Sequence, residues 1–404
     1  MTRPRIALVI TTWYEASHAD VLATGLVKGY DWNGGLSEPR VEVVSAYLEQ
    51  RGISQKGRHK PDVGVEFLAQ HGVPLYPTPA EALGAGAPGV NVDGVLIIAE
   101  HGDYEDNEYG QKLYPRRRLF DSCLSAMIAA DRFVPVFNDK HLAWNFTDAK
   151  ADYDNARRLG VPLLAGSTIP IAWRKPQGAE WPYGAPMNKA VCAAFSGFEV
   201  YGYHALEGLQ AFTERRAGGE SGAVEVRGFA DDQAAGGVAS IDPELLRAAV
   251  AAALTSGADG ATDGAEVSPD AISAAIAQIK HVVTIRHADG LESAMVLSDG
   301  LKSFGVAATG PEQATVTAEM HLQPGWPHSH FLFLGRAAET MYLTGQAPYP
   351  VERTLFTGGV LDHAIRNARG VVDHQTPHLD IAYTVPEHIP DTGVYLKPYV
   401  HASN

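Results

Sequence analysis

In the first half of the chain, apolar residues come in short runs separated by longer mixed stretches. Arg5–Thr12 (RIALVITT), Val41–Leu48, Pro74–Tyr76, Val95–Ile98, Val134–Phe137 and Val161–Ala165 are brief and bounded by polar residues. Most are rich in β-branched or aromatic side chains, the pattern of strands buried on both faces. Between them, His18–Tyr30, Lys60–His71, Pro79–Leu83, Arg117–Ala130 and Phe146–Leu159 read as helices, with Ser17 and Thr78 as N-caps and Gly72 and Gly160 as stops. A strand–helix–strand unit forces parallel strands. Its repetition predicts an α/β fold with a Rossmann-like, doubly wound parallel sheet over residues 1–173.

Past Trp173 the texture changes. KPQGAEWPYGAPMN is rich in Pro and Gly and reads as a linker. Ala190–Val200 reads as a strand, His204–Arg215 as a helix, and Ala223–Phe229 as extended. Asp242–Leu254 and Ser268–Ile279 read as amphipathic, Ala-rich helices, with SGADGATDGAEV between them expected to be a mobile surface loop. Lys280–His287, Glu292–Leu297, Phe304–Thr309 and Ala314–Leu322 read as antiparallel strands, the first two joined by a hairpin signal at Asp289–Gly290. Phe331–Leu343 and Val351–Arg369 read as closing helices. An α+β domain with an open, mainly antiparallel sheet is thus expected over 174–404, its C-terminal segment returning to the crevice of the first domain. Wide apolar stretches such as VVTI and FLFL are expected to pack on a second copy, giving a homo-oligomer.

Composition narrows the partners. A net charge of −15 over 404 residues speaks against nucleic acid and anionic membranes, and leaves a small molecule. Two cysteines, Cys123 and Cys192, give neither a disulfide framework nor a thiolate cluster. The first apolar run is too short for a signal peptide and no run approaches transmembrane length, so a cytoplasmic protein is expected.

The chemistry concentrates in Val92–Trp144. Glu100, His101, Asp103, Glu105 and Glu108 follow one strand; Asp139, Lys140 and His141 follow the next. Ligands of open parallel sheets sit outside the carboxyl ends of the strands, so both groups should line one crevice, with His18 in reach. Glu100, His101, Asp139 and His141 are expected to hold a divalent Zn, Mn or Fe ion that polarises a carbonyl or activates water. The alternative is that they brace loops. Arg116, followed by Arg117 and Arg118, suits a substrate carboxylate or phosphate. Ser167 and Thr168, at the next strand end, suit a hydroxylated substrate. His328 and His330 stand two apart, as on one face of a strand or in a polar loop; His374, His378 and Asp380 are C-terminal candidates.

Four segments carry a family resemblance: GVPLYPTPAEAL (Gly72–Leu83), VDGVLIIAEHGD (Val92–Asp103), PVFNDKHLAW (Pro135–Trp144) and GYHALEGLQAF (Gly202–Phe212). Together they resemble the glucose–fructose oxidoreductase/inositol dehydrogenase (Gfo/Idh/MocA) family over most of the chain. The resemblance implies a Rossmann domain followed by an α+β domain. It places Lys140 on the lysine of the family's V-x-x-E-K-P segment and His204 on the histidine of D-x-G-x-H-x-x-D. Lys140 is then the expected base, with Asp139 beside it, and His204 its acid partner at a helix start. An ion pair of Lys140 with Asp139 or a nearby Glu is the structural alternative.

The chain departs from the family at the nucleotide turn. TTWYEASHAD replaces the Gly-rich turn, and Trp13, Tyr14 and Glu15 are expected to keep pyrophosphate away. NAD(P) binding is therefore doubtful, although Glu49 at the second strand end could take a ribose hydroxyl. His141 replaces the family's proline and Val200 its aspartate, beside Glu199. The expectation is an acid–base, metal-assisted lyase, hydrolase or isomerase acting on a small hydroxylated or carboxylated, sugar-like molecule. An NAD(P)-dependent oxidoreductase is the alternative, and a non-catalytic sensor or assembly subunit the third.

Overall fold

The computed structural model describes residues 2–32, 35–52, 59–195, 197–255, 267–311, 313–323, 325 and 328–398. Most of SGADGATDGAEV lies outside them. The chain divides into two compact units: Met1–Gly166 with Gln323–Val351, and Ser167–Leu322 with Glu352–Pro398.

The first unit is built on six parallel strands: β1 (Arg5–Ile10), β2 (Glu42–Leu48), β3 (Leu75–Tyr76), β4 (Gly94–Ile98), β5 (Val136–Asp139) and β6 (Leu163–Gly166). Their order is β3-β2-β1-β4-β5-β6. This is the Rossmann order, which reverses between β1 and β4 and opens a crevice there. Ile6–Ile10 and Val95–Ile98 are wholly buried, as expected of strands covered on both faces. Helix α1 (Arg116–Ala129) joins β4 to β5, and α2 (Phe146–Leu159) joins β5 to β6. Asn145 caps α2 by accepting the Asp148 N–H, and Gly160 ends it in the left-handed conformation (φ 69°). The segment after β1 is a π-turn, Ala19–Ala23, running into a short helix, Thr24–Lys28, rather than one regular helix. The helix Phe331–Thr344 also belongs here, starting where the sequence reading puts it. It seats Tyr342 against Gly94, where a Cβ would lie 2.4 Å from the ring, and the tyrosine hydroxyl donates to the Val95 carbonyl (2.9 Å).

The second unit holds a seven-stranded sheet of β7 (Trp173–Lys175), β8 (Lys189–Phe195), β9 (Ala223–Ala230), β10 (Ile279–His287), β11 (Glu292–Ser298), β12 (Phe304–Gly310) and β13 (Gln313–His321). The order is β9-β10-β11-β8-β12-β13-β7, antiparallel except between β8 and β11. On one face the helix Pro243–Leu254 packs Leu245, Ala249 and Val250 onto Val191, Val282, Val296 and Ala307. The other carries α3 (Val200–Thr213), whose Gly202 and Gly208 face Leu297 and Cys192. Val282 and Val283 of VVTI are both fully buried. No helix among the described residues is long and apolar enough to cross a membrane.

Candidate active site

At the carboxyl end of β4 the chain turns through His101 (φ 69°) and Gly102 (φ 111°); at the end of β5 Lys140 is also left-handed (φ 65°). Such conformations persist where the surroundings over-determine them. For Lys140 the surroundings are β6: its N–H donates to the Gly166 carbonyl (3.0 Å) and its carbonyl accepts the Gly166 N–H (3.1 Å). The side chain is thereby aimed at Glu100. Lys140 Nζ donates to Glu100 Oε1 at 2.8 Å, and Arg116 Nη2 donates to Glu100 Oε2. All three are at most 4 % exposed. Burial alone would raise the Glu100 pKa; Lys140 first and Arg116 second outweigh it and hold the carboxyl well below its usual range. The trio carries one net positive charge. The lysine's partner is Glu100, not Asp139. His141 is buried beside it, and that burial, with Arg116 adding to it, pushes the imidazole well below its usual pKa, so it is neutral.

Asp139 has a different partner. It is fully buried, and its Oδ2 lies 2.6 Å from Nδ1 of His18, which the turn after β1 delivers across the switch point. The His18 ring lies 5.3 Å from that of His101 and meets Phe331 edge-on at 5.0 Å.

These pairings overturn the expected metal centre at Glu100, His101, Asp139 and His141. Both Glu100 oxygens face cations, Asp139 faces His18, and a divalent ion would meet Lys140 and Arg116. Among the described residues no group of three or more His, Cys, Asp or Glu side chains is arranged to hold an ion.

The expected obstruction of the nucleotide turn is also corrected. Trp13 is fully buried, packed against Gly64 and 5.2 Å from the Phe67 ring, and Tyr14 is nearly so. Trp13 belongs to the core, while the Tyr14 ring lies 5.3 Å from that of His101. Glu15 points outward and pairs with Lys60 at 3.3 Å, which offsets its charge. The turn keeps a left-handed residue without glycine, Ala16 (φ 61°). Two of its amides are held internally: the Tyr14 N–H donates to Ser17 Oγ (3.2 Å) and the Ala16 N–H to Asp20 (2.9 Å). Glu49 follows β2, where a dinucleotide's ribose is held in this strand order. It accepts from Arg118 Nη2 (2.7 Å) and the Tyr104 hydroxyl (2.8 Å). Glu49 thus stands at the ribose position already bonded to Arg118 and Tyr104, and the phosphate turn is of a different, self-capped kind.

In the second unit, Ser167 and Thr168 are buried, and the Ser167 N–H donates to Glu207 Oε2 at 2.6 Å. His204 lies inside α3 and not at its start, since the helix begins at Val200. Glu207, one turn further on, is fully buried, accepts from Thr354 Oγ1 (3.0 Å), and has its pKa raised by burial. Sequence reasoning passed over Glu207, although the final acid of D-x-G-x-H-x-x-D falls on it. His328 and His330 lie in a turn before the helix Phe331–Thr344, with rings 5.8 Å apart, and not on a strand. His378 lies 5.2 Å from His363, ring to ring, in the second unit.

No protein-family model matches the sequence, and no curated protein does. Solved structures match over nearly the whole chain. GenD2 from gentamicin A biosynthesis, in complex with NAD, is 15% identical, with 92% of this chain and 94% of that one covered and a TM-score of 0.53. Myo-inositol 2-dehydrogenase from Lactobacillus plantarum is 11% identical, with 93% and 100% covered and a TM-score of 0.52. UDP-N-acetylglucosamine 3-dehydrogenase GnnA from Acidithiobacillus ferrooxidans is 11% identical, with 92% and 99% covered and a TM-score of 0.51. The fold is that of the Gfo/Idh/MocA dehydrogenases, as the four sequence segments imply. The expectation of a metal-assisted lyase, hydrolase or isomerase without nicotinamide is overturned: the solved structures it resembles over nearly its whole length include NAD-bound GenD2 and two dehydrogenases.

Proposed function

We propose that this protein is an NAD(P)-dependent oxidoreductase acting on a small, hydroxylated ring compound of the sugar or cyclitol class. The observation that carries the proposal is the buried Lys140–Glu100–Arg116 trio. It lies at the strand ends beside the switch point of a sheet with Rossmann order, in a fold shared end to end with dehydrogenases of such compounds.

Glu49 would hold the adenosine ribose through its carboxylate, and the turn from Thr11 to Ser17 would run beside the pyrophosphate. When bound, the dinucleotide takes or gives the hydride at the substrate carbon. The remaining work falls to the chain. Lys140, whose ammonium is bonded to the Glu100 carboxylate, acts as a charged hydrogen-bond donor to the substrate oxygen. Glu100 directs the ammonium, and Arg116 fixes Glu100. The single net positive charge of the trio favours the oxygen as it gains negative charge, in a site of low polarisability. His141 adds no competing charge.

Two measurements test this. Fluorescence titration with NADH and NADPH is expected to give affinity in the micromolar range for at least one. Oxidation of a panel of cyclic polyols and pyranoses is expected to reduce that cofactor. Lys140→Met keeps the aliphatic stem and is expected to lose about 10²–10³ in turnover while retaining dinucleotide binding. Absence of binding to either dinucleotide at millimolar concentration would sink the proposal.

A further inference from the structure

Removing a hydride from an alcohol carbon leaves the hydroxyl proton to be placed, and in this reading the trio donates to the oxygen rather than accepting from it. Lys140 and Arg116 are already cationic and Glu100 is held ionised between them. The His18–Asp139 pair has the missing property. Asp139 is fully buried on the sheet, and its carboxylate sits 2.6 Å from His18 Nδ1. A carboxylate accepts only, so Nδ1 must carry the hydrogen. The other ring nitrogen, Nε2, is then an acceptor, and no hydrogen bond among the described residues engages it. The His18 side chain is 14% exposed. A buried carboxylate that fixes the tautomer of a partly exposed imidazole, and steadies the imidazolium once formed, is the arrangement of base and orienting acid in nucleophilic hydrolases. Here it spans from the turn after β1 to the end of β5, on either side of β4, the strand that leads to Glu100.

We propose that His18 is the proton acceptor of the reaction and Asp139 its positioning residue. The inference rests on the oxidoreductase reading. In the forward direction the substrate O–H bond breaks and its proton passes to His18 Nε2. The C–O bond gains its second pair as the C–H bond breaks, and the hydride leaves to an oxidised nicotinamide dinucleotide. The products are a ketone, the reduced dinucleotide and an imidazolium paired with Asp139. The groups facing His18 are Asp139 on β5, Glu100 and His101 after β4, and the apolar Phe331. Sequence offers one hint: His18 and Asp139 each follow a strand of the same parallel sheet.

The test uses the full-length protein with ¹⁵N-labelled histidine. At neutral to mildly basic pH the His18 resonances are expected to show hydrogen on Nδ1 and none on Nε2. Asp139→Asn is expected to shift the tautomer towards Nε2–H, because an amide can donate to Nδ1. His18→Asn is expected to leave NADH binding within threefold and lower polyol oxidation by about 10²–10⁴. It should also remove the acidic limb of the pH profile and respond to added imidazole. Three results overturn the proposal: hydrogen on Nε2 in the parent protein, an imidazolium that persists to pH 9, or full turnover in His18→Asn. Failure of the parent to bind either dinucleotide or oxidise any polyol overturns the oxidoreductase reading instead. The tautomer measurement needs no cofactor and keeps the two failures apart.

Discussion

At the scale of single residues, the decisive fact is that the buried charges of the first unit choose partners by geometry and not by adjacency. Lys140 is next to Asp139 in sequence yet bonds Glu100, because successive residues leaving a strand point to opposite sides. Removing the middle member has a clear consequence. Glu100→Gln keeps the shape and leaves Lys140 and Arg116 as neighbouring uncompensated cations. Breaking a buried pair in this way costs about 3–5 kcal/mol, which urea denaturation would read directly. The pH dependence follows from the same residue. The folded-state pKa of Glu100 is depressed below its ordinary 4.5. Its contribution is therefore fully present above that value and is lost as pH falls below it. A parent protein whose stability does not decline below about pH 4.5 relative to Glu100→Gln would contradict this. Asp152 on α2 has the opposite sign. Burial pushes its carboxyl up to about 8, although Arg117 lies 2.8 Å away, and the nearby charges of Asp121 and Asp148 add to the rise. The folded state then binds more protons than the unfolded one between the ordinary 3.8 and about 8, so stability falls with rising pH across that window. Asp152→Asn is expected to raise the melting temperature at pH 8 more than at pH 5.

At the scale of elements, glycine sets how closely helices approach the sheets. Gly305 on β12 lies under the helix Pro243–Leu254, and a Cβ there would fall 2.2 Å from the Ala249 carbonyl oxygen. Backbone cannot step aside as a side-chain end can. Gly305→Ala is expected to destabilise by about 1–3 kcal/mol or more, while the same change at the open Gly236 should cost little. Calorimetry on both variants compares them. Gly94 makes the corresponding contact with Tyr342 in the first unit, which ties the helix Phe331–Thr344 to the central strands. Helix boundaries follow similar local chemistry. Asn145 and Thr78 act as caps through their side-chain oxygens, and both helices begin where sequence reading puts them. Before the segment after β1, the Tyr14 and Ala16 amides of the turn donate to Ser17 and Asp20, and the segment itself opens as a π-turn at Ala19–Ala23.

At the scale of the whole molecule, the corrected chemistry gives a simple expectation about metal. Chelation with EDTA is expected to leave the melting temperature unchanged, and elemental analysis to find no stoichiometric transition metal. A loss of more than a few degrees on chelation would return the acidic strand ends to consideration as ligands. The sequence by itself determined the strands and helices of both halves, the parallel sheet, and the crowding of titratable groups at two strand ends. Period-2 and continuous apolar runs, caps and turn residues are local signals, and local signals survive without a structure. Family-motif positions also brought Lys140 and His204 to notice. Tertiary structure alone decided the rest. It turned Trp13 into the core, because Gly64 and Phe67 from a later segment receive it, and set the Tyr14 ring near His101. It returned Phe331–Thr344 to the first unit and placed His204 within a helix rather than at its end. Above all it assigned partners, Glu100 to Lys140 and Asp139 to His18, which are separated by 40 and 121 positions. Charge pairing depends on distance in space, and the sequence records only distance along the chain. A cluster of acids and imidazoles therefore reads alike as a metal centre or as a set of proton-transfer and ion pairs until the fold fixes which atoms meet.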